Sequence, residues 1–274
     1  MRTIYFLIIS LFCHLELGAQ ELFTSTEPAS AMPAKSIGIR VTNELFPLTS
    51  YETVNKSTMY RLSPEVMWGI SKNWMVHLNF YASDCHQNSF KAEGIGTYIK
   101  YRFFAHDEVQ SHFRMAIYGR ASLVNNPIQY EEINLGGDNS GAGIGIIATQ
   151  LLHKIAFSFT GGYLRATDNI GYLLNPGQVK DELNYSLSAG WLCLPVEYKN
   201  YSQPNLNLFV EFLGKANPTT NESYLDIAPA MQLIINSLTR IDLVYEKQLY
   251  GNMLRIDNRQ VSLRFEYSFL NAYK

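Results

Sequence analysis

The sequence predicts an all-β fold: a transmembrane, antiparallel, up-and-down β-barrel of about twelve strands. Three observations lead there. Apolar and polar residues alternate with a period of two along almost the whole chain beyond residue 34. Strand side chains point alternately to opposite faces, so such segments read as strands with one greasy face. The segments have roughly the ten residues that a tilted strand needs to cross a bilayer. The links between them tend to alternate between short and long, as on the two rims of an outer-membrane barrel.

Composition narrows the class further. The chain has 274 residues, of which 47% are apolar, 13% aromatic and 17% charged. Globular domains average about 25% charged residues, so this chain is charge-poor. Lys and Arg number 22 against 24 Asp and Glu, a net charge of −2, which excludes the basic stripe a nucleic-acid binder needs. The apolar content excludes intrinsic disorder. Beyond the first residues no run approaches the roughly 18 consecutive apolar residues of a spanning helix.

Residues 1–19 read as a secretory signal. Met1-Arg2 opens it, Ile4 to Phe12 is apolar except for Ser10, and Leu17-Gly18-Ala19 precedes Gln20. A lipoprotein reading would use Cys13, but bulky Phe12 stands where a small residue is wanted. The remaining cysteines, Cys85 and Cys193, are too few for a disulfide framework. Residues 20–34, with their Pro and Ser, form either a periplasmic tail or a plug entering the barrel.

The barrel domain then runs over 35–274, and its strands follow in order. In 35–44, Ile37, Ile39 and Val41 oppose Arg40, Thr42 and Glu44. In 59–69, Tyr60, Leu62, Val66 and Trp68 oppose Arg61, Ser63 and Glu65. Around 73–81, Trp74, Val76, Leu78 and Phe80 oppose His77 and Asn79. Around 94–103, Ile95, Ile99, Tyr101 and Phe103 oppose Gly96, Lys100 and Arg102. Around 112–120, Phe113, Met115 and Ile117 oppose His112, Arg114 and Arg120. The Gly-rich stretch 139–151 is the weakest and is carried by Ile144, Ile146 and Ala148. Ile155, Phe157, Phe159 and Tyr163 then oppose Ser158 and Thr160, and Leu183, Tyr185, Leu187 and Trp191 oppose Asn184, Ser186 and Ser188. Leu206, Leu208, Val210 and Phe212 oppose Asn207 and Glu211, and Leu225, Ile227, Met231 and Leu233 oppose Asp226 and Gln232. Ile241, Leu243 and Tyr245 oppose Arg240, Asp242 and Glu246. Last, Val261, Leu263, Phe265, Tyr267 and Phe269 oppose Arg264 and Glu266.

Links 71–73, 152–154 and 235–237 are tight. Links 46–56, 83–89, 124–138, 166–179, 214–221 and 250–258 are long, while 105–111 and 195–204 are intermediate. With an even strand count both termini fall on the short-turn, periplasmic side. Alternation alone also suits a soluble sandwich. Rim and aromatic placement favour the membrane: Trp68, Trp74, Tyr101, Phe103, Tyr163 and Tyr185 stand where interfacial girdles belong.

The signal ending Gly18-Ala19-Gln20, the twelve-strand pattern and the aromatic last strand resemble the small outer-membrane β-barrel family of Gram-negative bacteria. The likeness covers nearly all of the mature chain. It implies an outer-membrane location, a lipid partner and insertion by the barrel assembly machinery. More loosely the chain is similar to channels for hydrophobic compounds, which would make residues 21–34 a lumen plug.

Strand parity places Arg40, Glu44, Arg61, Glu65, Lys100, Arg102, Arg114, Arg120, Glu211, Asp226, Arg240, Asp242, Glu246, Arg264 and Glu266 in the lumen. A charge facing lipid would cost about 2–4 kcal/mol at the midplane. Two readings stay open: a salt-bridged filling that holds the barrel shut, or a charged constriction selecting small solutes. His77 and His112 lack the partners of a metal site. Gly136 to Gly141 reads as a turn rather than a calcium loop. Ser, His and Asp are present without a grouping motif. No catalytic residue and no cofactor is expected. The functions left are a passive channel for small solutes, a plugged structural or adhesive barrel whose loops 124–138 and 166–179 bind partners, and, third, a lipid-modifying hydrolase.

Overall fold

In the computed structural model the described residues are 23–47, 58–87, 89–196, 203–256 and 258–273. The signal expected at 1–19 lies outside them. The described residues form twelve strands: β1 (Ser36–Pro47), β2 (Thr58–Gly69), β3 (Trp74–Ser83), β4 (Lys91–Glu108), β5 (Ser111–Val124), β6 (Gly141–Leu152), β7 (Ile155–Ala166), β8 (Asp181–Leu194), β9 (Asn205–Ala216), β10 (Ser223–Ile235), β11 (Thr239–Gly251) and β12 (Arg259–Phe269). Each pairs antiparallel with its sequence neighbours, and β12 returns to β1 to close a barrel. No helix occurs among the described residues.

Alternation becomes two surfaces once the ring closes. Ile39, Phe80, Ile117, Phe159, Leu187 and Phe265 all stand exposed on the outside. Their strand neighbours Arg40, His77, Arg114, Ser158, Ser188 and Glu266 are buried inside. A continuous exposed apolar surface of this extent is a solvent mismatch in water and a match in hydrocarbon. Closure also satisfies every edge, which lipid demands because it offers no hydrogen bonds.

One rim is built from tight turns at 70–73, 109–110, 153–154 and 236–238, flanked by strands that begin and end there. Gln110, His153, Asn236 and Ser237 take positive φ. That backbone matches the twist of short hairpins. The expected intermediate link 105–111 is corrected: β4 runs on to Glu108, and the turn is only 109–110. Ala105 to Glu108 keep pairing with Arg114 to Ser111. Asp107 reinforces the extension by accepting hydrogen bonds from Arg114 Nε (3.1 Å) and bonding His112 Nδ1 (3.0 Å). The start of β1 and the described C-terminal residues meet at this rim, where Lys35 N donates to Gly69 O and Ala272 N to Lys35 O. Longer loops, among them 125–140, 167–180 and the described parts of 84–90 and 252–258, crown the other rim. The loop expected at 46–56 falls largely on residues outside the described set.

Candidate functional site: the barrel lumen

The chain ahead of β1 threads the lumen. Residues 23–34 are mostly buried among inward side chains, and they are held at both ends. Glu211, buried on β9, accepts six hydrogen bonds: from Thr24 N (3.0 Å), Thr24 Oγ1 (2.7 Å), Ser25 N (2.6 Å), Thr26 N (3.1 Å), Thr26 Oγ1 (2.7 Å) and Ser188 Oγ (2.9 Å). A carboxylate that gathers successive backbone N–H groups acts as a charged anchor for a strandless segment. Further along, Ala29 N donates to Thr149 Oγ1 at 2.9 Å, Lys100 Nζ to Pro28 O at 2.7 Å, and Arg114 Nη1 to Ser30 Oγ at 3.0 Å.

Apolar side chains fill in between these bonds. Phe23 packs on Phe209, ring centroids 5.7 Å apart, beside Ala228, Ala230 and Val244. Met32 joins Met67 and Met75. Parity alone predicts a polar lumen. The structure shows its lower part to be partly apolar, because those inward positions face this segment rather than water.

Above the segment runs a charged belt. On β11, β12, β1 and β2, Arg240, Glu266, Arg40 and Glu65 are register partners. Arg240 Nη2 and Arg40 Nε both donate to Glu266 Oε2, at 2.7 and 2.8 Å. Arg40 Nη1 reaches Glu65 Oε2 at 3.1 Å and Glu27 Oε1, on the threaded segment, at 2.9 Å. His77 Nδ1 lies 2.5 Å from Glu65 Oε1. Arg264 and Arg240 flank Asp242 at 3.7 and 3.6 Å. Opposite signs on adjacent strands thus neutralise one another across the wall.

Arg102 keeps the inward parity, opposite buried Ala116, but at the tight-turn rim, where its Nη2 donates to Lys72 O (2.8 Å) and Asn73 Oδ1 (3.3 Å).

The mouth is narrowed by loop 125–140, which folds inward with Ile133 and Leu135 buried against Leu164 and Ala166. Glu132 on it takes Lys215 Nζ at 2.8 Å and the Tyr224 hydroxyl at 2.7 Å, and pairs with Arg255 Nε at 3.3 Å. Burial pushes this carboxyl up, but Lys215 and Arg255 outweigh it and hold its pKa down at about 2. Arg255, from loop 252–258, also pairs with Asp226 at 2.6 Å and with Glu246 at 3.6 Å. A second latch joins Asp138 to Arg61 and to His86, whose Nε2 is 3.2 Å away. His86 Nδ1 meets Glu93 at 2.9 Å. Burial depresses the imidazole, yet bonds to Asp138 and Glu93 prevail and raise it to about 9.

Between belt and mouth lies a cavity of about 420 Å³. Thr24 to Glu27 form its floor, and residues of loops 125–140 and 252–258 its roof. Glu44, Arg120, Asp226, Glu246 and Arg264 line it. The expected girdle aromatics stand on the outer surface: Trp74 and Tyr101 stack at 4.6 Å beside the first tight turn, Trp68 is half-buried nearby, Phe103 is exposed toward the same rim, and Tyr163 and Tyr185 are exposed toward the long loops. Glu27, Glu132, Asp138, Glu182, Lys215 and Arg255 belong to the site although alternation gave them no prominence. They lie on loops, on the threaded segment or at strand ends, where the period of two carries no signal. Among the described residues no His, Cys, Asp and Glu group is suited to a metal ion.

No protein-family model and no curated sequence matches the chain. Among solved structures it is similar to the COG4313 outer membrane channel from Pseudomonas putida F1. That likeness has a TM-score of 0.53 and 12% identity over 91% of this chain and 100% of that one. It is more loosely similar to OccAB2 of Acinetobacter baumannii (TM-score 0.40, 13% identity, 79% of this chain and 56% of that one). OccK11 of Pseudomonas aeruginosa matches with a TM-score of 0.37 and 10% identity, over 85% of this chain and 66% of that one. The fold is that of a bacterial outer-membrane β-barrel channel.

Proposed function

We propose that this protein is a non-enzymatic channel of the bacterial outer membrane. It would admit small polar solutes through its loop-lined mouth, and residues 23–34 form its closed gate. One observation carries the reading: a hydrophilic cavity, inside a ring whose outer surface is apolar, rests on a segment anchored by hydrogen bonds instead of being woven into the wall. A barrel meant as an inert scaffold has no need of a chamber above a detachable floor. The inward commitment of Ile133 and Leu135 also leaves loop 125–140 less suited to an adhesive role.

The test is single-channel recording in planar bilayers with the full chain. Discrete openings from a mostly closed baseline are expected, becoming more frequent when Glu211 is replaced by Gln. Silence in both proteins would leave the plugged structural barrel as the better reading.

A further inference from the structure

Three of the chain's eight methionines meet in the lumen near the tight-turn rim. Met32 belongs to the threaded segment, and Met67 and Met75 stand on β2 and β3, on either side of the turn at 70–73. All three are buried. Met32 N donates to Met75 Sδ at 3.4 Å, which ties the segment to β3. Gly38, register partner of Met67 on β1, marks where the other two converge. A Cβ there would sit 2.6 Å from Met67 Cε and 3.0 Å from Met32 Cε, so both methyl ends lie over bare backbone.

Filling space beneath the segment does not require sulfur. Leucine has a similar volume and loses less rotamer freedom on burial. What methionine adds is a polarizable thioether with lone pairs. Nor do the three side chains close completely on one another. A void of about 20 Å³ is lined by all of them, room for one particle the size of a water molecule. Arg40, Arg240, Glu27 and Glu266 line it as well, two charges of each sign. Glu27 and Arg40 also line the large cavity, so that one ion pair stands between the two spaces.

We propose that these three thioethers are the ligands of a soft monovalent metal ion of the Cu(I) class, held between the threaded segment and the wall. The inference goes beyond the channel reading and does not depend on it. Soft, neutral sulfur donors select Cu(I), whereas magnesium, calcium and manganese ask for oxygen. Zinc sites are built from thiolate, imidazole or carboxylate, none of which the three methionines supply. Ligation asks for lone pairs turned into a shared void rather than for exposed surface, and the unbranched methionine side chain turns its sulfur by rotation alone. A thioether has no proton to lose, so binding is independent of pH where a thiolate or imidazole site is not. Because Met32 lies on the segment and Met67 and Met75 on the wall, the bound ion staples the segment in place.

The experiment titrates Ag(I), a redox-inert stand-in for Cu(I), into the detergent-solubilised full chain carrying carbon-13 in its methionine methyls. The signals of Met32, Met67 and Met75 are expected to shift together and saturate, while those of exposed Met231 and of Met253 in the mouth loop stay still. Mg(II) and Zn(II) are expected to move none of them. The free thiols Cys85 and Cys193 also take silver, so affinity is read from the methyl signals and compared with Met67→Leu, which keeps the volume and both thiols. That variant is expected to bind at least tenfold more weakly, and the wild-type affinity to stay flat between about pH 5 and about pH 8. Three unmoved signals, all methionines shifting alike, or undiminished binding by Met67→Leu overturns the proposal. The wild-type pattern and its Mg(II) and Zn(II) controls decide the matter even if the variant does not fold.

Discussion

Thr24 and Glu211, 187 residues apart, are joined by two hydrogen bonds: the backbone N–H and the hydroxyl of Thr24 both donate to Oε1, at 3.0 and 2.7 Å. Ser25 and Thr26 complete the attachment. A single side chain of the wall therefore accepts five of the hydrogen bonds that hold the segment ahead of β1 in the lumen.

Glu211→Ala removes the acceptor for five bonds from that segment. Thr24 N and Oγ1 are the buried donors among them, and each left unanswered costs about 1–3 kcal/mol. The expected outcome is faster protease cleavage within residues 23–34 with the barrel still closed on heat-modifiable gels. Unchanged protection would mean that Phe23 and Met32 suffice to hold the segment.

Arg40 serves Glu27, Glu65 and Glu266 at once. Arg40→Met leaves three carboxylates crowded in a low-dielectric lumen, a loss of about 3–5 kcal/mol. Urea unfolding in detergent should show a clearly lower midpoint. A shift within error would place enough water around the belt to make the guanidinium dispensable.

Phe159 points outward from β7 and is about half exposed. Phe159→Arg should cost about 2–4 kcal/mol if that face meets lipid. Folding yield into vesicles would drop accordingly. Wild-type yield would show that this face does not lie in hydrocarbon.

The mouth latch responds to base. His86 has its pKa raised to about 9 from an ordinary value near 6.5, so its contribution is complete below pH 6.5 and disappears as pH climbs through 9. Asp138 moves the other way: burial would raise it, but Arg61 and His86 bring it down to about 2, and its contribution survives until pH falls through that value. Protection against hydrogen exchange in loops 84–87 and 125–140, taken relative to the intrinsic base-catalysed rate, is thus expected to fall between pH 7 and 10. In His86→Gln that loss of protection should vanish, and its persistence there would assign the response to another group.

Much of this architecture is written in the alternation. Val261 to Phe269 on one face and Arg264 with Glu266 on the other suffice to orient β12, because a register slip of one residue would put both charges in lipid. Even glycine-rich β6 is legible through Ile144 and Ile146. The threaded segment is not. Thr24, Thr26 and Glu27 carry no periodicity, and their partner Glu211 looks like any other inward carboxylate. Loop residues such as Glu132 and Arg255 find each other only through three-dimensional proximity, which no local pattern encodes. Nor does parity reveal that inward Met67, Met75 and Phe209 lie against other apolar side chains rather than water.

β1 meets β12 from Ile37 beside Phe269 to Leu45 beside Val261. Without its eleven-residue last strand, then, the sheet is a ribbon with two raw margins. A chain stopped short of that strand would expose the hydrogen-bonding groups of Ile37–Leu45 on one side and of Thr239–Lys247 on the other. Such ribbons stick to one another. The meeting of first and last strands is thus the one event that removes both margins together.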